Sequence, residues 1–147
     1  MTDLSNEYEK ILLVRLMNDS SLYYEHHNML NVDLFDNVEH KDIYRFIESR
    51  IDAGDKVVDM LSVVKALRNK HEHIALTISE VMNFELTSTP FKNALLGLTE
   101  KKKFNDLGVL VNKIHAMLNR KDDVFDIITE AGKDLASISD ISSEEIQ

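Results

Sequence analysis

With 147 residues, one proline, four glycines and no cysteine, the chain has the length of one domain, or one domain with a small appendage, and can bury a real core. A hydrophobic content of 44% argues against disorder, the shortage of turn-formers predicts long helices over short strands, and the missing thiols exclude a disulfide framework or a thiolate metal site. The formal charge of −9 argues against a domain that grips nucleic acid with a basic face of its own. The opening MTDLSNEYEK lacks the basic start and apolar run of a signal peptide. No apolar stretch could span a bilayer, so a cytoplasmic protein without membrane contact is expected.

Taken in chain order, NEYEKILLVRLM (6–17) spaces Tyr8, Ile11, Leu12, Leu16 and Met17 by threes and fours, with Asn6 and Glu9 placed as N-cap and N3 carboxylate. A short helix follows in SLYYEHHNML, capped by Ser20 or Ser21. From about Asn37 to Ala53, one face carries His40, Ile43, Tyr44, Ile47 and Ile51, and Gly54 is the stop signal. Asp59 caps a fourth helix with Met60, Val63, Val64 and Leu67 on its apolar side. Thr77 and Glu80 have capping-box spacing for a fifth. The clearest start is STPF, with Thr89 as N-cap and Pro90 at the first helical position, opening a helix that could reach Arg120. Asp122 opens the last helix, and from Ser139 the chain is polar and reads as a linker or tail. The fold class expected is all-α.

The long helix changes its apolar side. Phe91, Ala94, Leu95 and Leu98 form one stripe; beyond the run Lys101 to Lys103, residues Phe104, Leu107, Val111, Ile114 and Leu118 form another, about half a turn around the axis. The first half should therefore pack on the preceding helices and the second on the last helix, folded back as an antiparallel hairpin. This predicts a globular head over residues 1–88, a hairpin over 89–138 and a tail over 139–147. Leu110 and Met117 form a shoulder about 80° away, and Phe125 falls off the main stripe of its own helix. Nothing within the chain is left to cover them, which predicts a two-fold dimer with Leu110, Met117 and Phe125 at its interface.

No chemistry-bearing constellation emerges. The histidines of EHH (25–27) and HEH (71–73) lack metal-ligand spacing, and neighbouring helical side chains diverge by about 100°. There is no phosphate loop and no nucleophile elbow. Catalytic, cofactor-binding and metal residues are therefore all unassigned, and no cofactor is expected. The lysine run reads as a solvated helix face, so neither ATP hydrolysis nor strong DNA binding by this chain alone is expected. His40 shares its face with Ile43, Tyr44 and Ile47, which makes it a packing residue with one polar partner.

These residues also carry a resemblance. The stretch LFDNVEHKDIYRFIESRIDAGDKVVDMLSVVKAL resembles the N-terminal domain of DnaB-type replicative DNA helicases of bacteria and phages. Glu9, Leu12 and Leu13 approximate that family's opening helix. Phe35, His40, Ile43, Tyr44 and Ile47 match its F-x-x-x-x-H-x-x-I-(F/Y)-x-x-I run, and Gly54, Asp59, Val63 and Leu67 follow in order. GDKVVD replaces the family's usual Gly-x-Pro-(V/I)-Asp with one residue more and no proline, and the Gly-Gly-x-x-Tyr-Leu segment is absent, which marks a divergent member. The resemblance implies a head-plus-hairpin fold and a non-catalytic collar above an ATPase ring. It also implies dimers through the hairpin within a hexamer of the full-length protein, and docking of primase or a helicase loader. Two related readings are the helicase-binding domain of a primase, against which the Met1 start weighs, and a stand-alone adaptor or inhibitor of a helicase. A histidine-based metal-dependent enzyme is the reading from a different class.

Overall fold

A computed structural model describes residues 3–139, and every regular element among them is helical. The helices are α1 (Ser5–Asn18), α2 (Ser21–Glu25), α3 (Val38–Asp52), α4 (Met60–Leu67), α5 (Ile74–Met82), α6 (Phe91–Asn119) and α7 (Val124–Ser139), with one 3₁₀ turn at Val32–Leu34. None is long and apolar enough to cross a membrane. The residues group into two compact units, one ending at Leu98 and one beginning at Thr99, so α6 contributes its first turns to one and the rest to the other. The sequence-based division at 88/89 lies upstream of this line, ahead of Pro90. The tail expected from Ser139 falls, after that residue, outside the described part of the chain.

In the first unit α1 lies against α3 and α5, and α4 bridges α3 and α5. Its core runs from Ile11 on α1 to Leu98 on α6 and includes the stripe Phe91, Ala94, Leu95 and Leu98, as the apolar spacing predicts. Local chemistry sets the ends of α3. The Asn37 side chain accepts the His40 amide at 3.1 Å, and Gly54, with φ +104°, ends the helix in a region that a Cβ disfavours. Asp59 accepts the Ser62 amide at 2.7 Å and starts α4. Past α3, the chain pairs back on α1 through Val58 N–H to Met17 carbonyl at 2.8 Å. Arg15 donates to the Thr87 carbonyl at 2.7 Å and so ties the strand of loop before α6 to α1.

Several starts differ from expectation: α6 begins at Phe91, one residue after Pro90, and at α2 it is Asp19, not a serine, that accepts the Ser21 amide, at 3.0 Å. α1 begins at Ser5, whose amide is held by Asp3, and Glu9 lies mid-helix, turned inward. α5 begins at Ile74, so Thr77 is interior; its hydroxyl instead contacts Glu39 of α3, a partner available only in the folded chain. α7 is capped by Asp123, which accepts the Phe125 amide at 2.8 Å, while Asp122 pairs with Arg120 at 2.9 Å.

In the second unit α6 packs on α7 as an antiparallel hairpin. Asp122 N–H bonds the Met117 carbonyl at 3.1 Å across the turn, Lys113 meets Asp134 at 2.7 Å, and Lys103 meets the Ile138 carbonyl. The hairpin is rotated from the expected arrangement. Leu110 and Met117 are each 7% exposed and Ile127 is buried with them, whereas Leu107, Val111 and Leu118 remain exposed and Phe104 is 75% exposed. Charged and apolar side chains share the seam that forms. Lys103, Asp106, Leu110, Lys113 and Met117 follow one another at spacings of three and four, so the seam that zips with α7 mixes ion pairs and apolar contacts. The purely apolar stripe is left outside it.

Candidate interaction surface

The motif residues of the first unit converge on one buried junction. Glu9 on α1 is 2% exposed and His40 on α3 is 1% exposed, with His40 Nδ1 3.0 Å from Glu9 Oε1. The same carboxyl accepts the Asp36 amide at 3.1 Å and the Asn37 amide at 3.4 Å, donors that the N-terminus of α3 would otherwise leave unpaired. Phe35 stacks on Tyr44 with ring centroids 5.0 Å apart, and Ile43 and Ile47 close the core around them. His40 is thus joined to one carboxyl and to packing. Tyr44 and Tyr23 both donate to Glu48 Oε2, at 3.2 and 3.1 Å. Burial first, and Glu48 second, push both phenols up, Tyr23 to about 12, so both remain donors at neutral pH.

One polar centre was not legible in the sequence. Asp42, 6% exposed, receives His71 Nε2 at 2.6 Å, Lys70 Nζ at 2.9 Å and Arg45 at 3.1 Å. The His71 hydrogen bond foremost, with Lys70 and Arg45 behind it, holds its carboxyl down from 3.8 to about 2. Because the folded value lies below the unfolded one, the associated stability is present in full above about pH 4 and is lost as pH falls through about 2. Asp42→Asn should lower the unfolding free energy at pH 7 by about 2 kcal/mol, and the gap from wild type should close as pH falls toward 2. Urea denaturation at a series of pH values tests this; a gap of constant size would show that the charge contributes nothing.

The other histidines do not gather. His26 packs on the Phe91 ring with centroids 5.3 Å apart, His27 lies 3.1 Å from its neighbour Tyr24's carbonyl, and His73 precedes α5. Among the described residues no group of three His, Asp or Glu side chains could hold a metal. The lysine run is partly engaged within the hairpin, with Lys102 on Asp106 at 3.1 Å and Lys103 on the Ile138 carbonyl.

What the hairpin offers is an open apolar face. On α6, Phe104, Leu107, Val111 and Leu118 lie about 90° around the axis from the seam of Leu110 and Met117. On α7, Val124, Ile128 and Leu135 lie about 80° from Ile127. Because the helices run antiparallel, equal turns from the seam bring both stripes to the same side of the pair. The three residues assigned to an interface are therefore not equivalent: Leu110 and Met117 lie in the seam, and Phe125, 74% exposed, stands at the edge of the open face.

Residues 2–96 match the family model described as DnaB-like helicase N terminal domain. No curated protein and no solved structure matches the chain.

Proposed function

With more than half of its length matched, the chain belongs to the DnaB-like helicase N-terminal domain family, and we propose that it acts as the non-catalytic collar and interaction domain of a replicative DNA helicase. In this reading the head keeps its shape through the Glu9–His40 junction, and the hairpin pairs with the hairpin of a second copy. The dimers take their places in a hexamer of the full-length helicase, where the collar docks primase or a helicase loader.

The observation that carries self-association is the open face of the hairpin. Seven large apolar side chains on two helices face water on one side, more than a single exposed residue would explain. Leu110 and Met117 lock the two helices beneath that face, and Phe125 extends its edge. An identical two-helix layer, applied through a two-fold axis, would cover the face as a four-helix bundle.

Sedimentation tests the pairing. The wild type should run as a dimer at high micromolar concentration and Leu107→Glu/Ile128→Glu as a monomer, with helix content in the first unit unchanged. A wild type that stays monomeric, or a variant that still dimerises, would remove this face from the reading.

A further inference from the structure

The second unit is poorly held by its own contacts. Among the described residues of α7 only Ile127 is buried, and from this unit α6 adds only Leu110, Met117 and the polar Thr99. Besides the turn bond from Asp122 to Met117 and the Lys103 contact with the Ile138 carbonyl, the ties between the helices include surface ion pairs from Lys113 to Glu130 at 3.4 Å and to Asp134 at 2.7 Å, of a kind that contributes little in water. Both helices also carry an interior glycine. Gly108 and Gly132 are exposed, with nothing within 4 Å of the place a Cβ would occupy, so they weaken their helices with no packing gain in return. At 16 residues, α7 is close to the length at which a lone helix is marginal in water, about 12–15 residues.

We infer that α7 is an assembly-dependent element: it keeps its helix and its seat on α6 only while a second copy covers the apolar face, and loses both on dissociation. The inference rests on the self-association proposed above and adds to it that pairing and the ordering of α7 are one event. The second copy is the occupant because both helices turn their apolar stripes to the same side. That makes one flat layer which its own two-fold image complements. Ile128 and Leu135, which one seam leaves in water, then supply the burial that Ile127 alone does not.

Amide hydrogen exchange on the full chain, at concentrations bracketing the dimer transition found by sedimentation, tests it. Exchange in α7 should slow by at least about tenfold as dimer forms, while α1 and α3 keep the same protection throughout. Leu107→Glu/Val111→Glu leaves the α7 sequence intact and should hold its amides in fast exchange at every concentration. Equal protection of α7 in that monomeric variant and in the wild-type dimer would overturn the inference and leave self-association standing. A wild type that never dimerises would overturn self-association itself, and this inference with it.

Discussion

Glu9→Ala should lower the unfolding free energy by about 3–5 kcal/mol, the largest effect of any single polar substitution in the first unit. The carboxyl joins α1 to α3 at three places, His40 Nδ1 and the amides of Asp36 and Asn37. Alanine would leave a buried imidazole and two helix-start donors without partners, in a site too enclosed for water to replace the lost oxygen atoms freely. His40→Ala should cost less, about 1–3 kcal/mol, because the two amides keep their acceptor. The double variant should fall short of the sum, since both substitutions remove the same contact. Chemical denaturation of the three variants decides the matter. A Glu9→Ala protein within about 0.5 kcal/mol of wild type would show that this junction does not hold the helices together.

Gly97→Val is the second large effect, with an expected loss of about 2–3 kcal/mol. A Cβ at this position would stand 2.6 Å and 2.9 Å from the Tyr8 ring, well inside contact distance. Two effects oppose each other here. Any side chain strengthens the helix relative to glycine, by up to about 1 kcal/mol for alanine and less for a β-branched residue. Driving the Tyr8 ring away from α6 costs more than that, because the ring is itself packed against the core. Adding Tyr8→Ala to Gly97→Val should restore part of the loss. Melting temperatures measure both; a rise for Gly97→Val alone would mean that the ring moves aside freely.

The parts of the fold legible in the sequence are those whose cause is local. Asn37 and Asp59 cap the helices that follow them, and Gly54 ends α3, because each interaction lies within a few residues of its partner. The apolar stripe from Phe91 to Leu98 was legible for the same reason, as periodicity along one helix. The inward turn of Glu9 was not, since its partners lie 27 to 31 residues away and its spacing from Asn6 imitates a cap. Asp42 and His71 are 29 residues apart and signal nothing in sequence. Thr77 likewise imitated a capping residue until the fold placed Glu39 beside it. The rotation of the hairpin shows a different limit. Counting apolar residues identifies the most hydrophobic stripe of α6, but that stripe is not the one that meets α7. The seam that forms carries Lys113 and its acidic partners among its apolar residues, so apolar periodicity alone does not distinguish it. Leu110 and Met117, the lesser stripe by apolar count, are the buried ones, where the sequence predicts the greater stripe to be.

The buried core ends at Leu98, two residues beyond the last one that the family match covers. Among the described residues, no side chain of the cluster that holds the first unit together comes from Thr99 or later. The cluster that holds the head and the exposed apolar face of the hairpin are therefore built from different residues. If the hairpin pairs as proposed, a lineage could exchange Phe104, Leu107 or Ile128 for other apolar residues, or ring them with new charges, and alter which copies recognise one another without replacing any residue of that cluster. On that proposed pairing, two related chains sharing one cell could diverge into separate assemblies, each rejecting the other's copies, through substitutions confined to two helices.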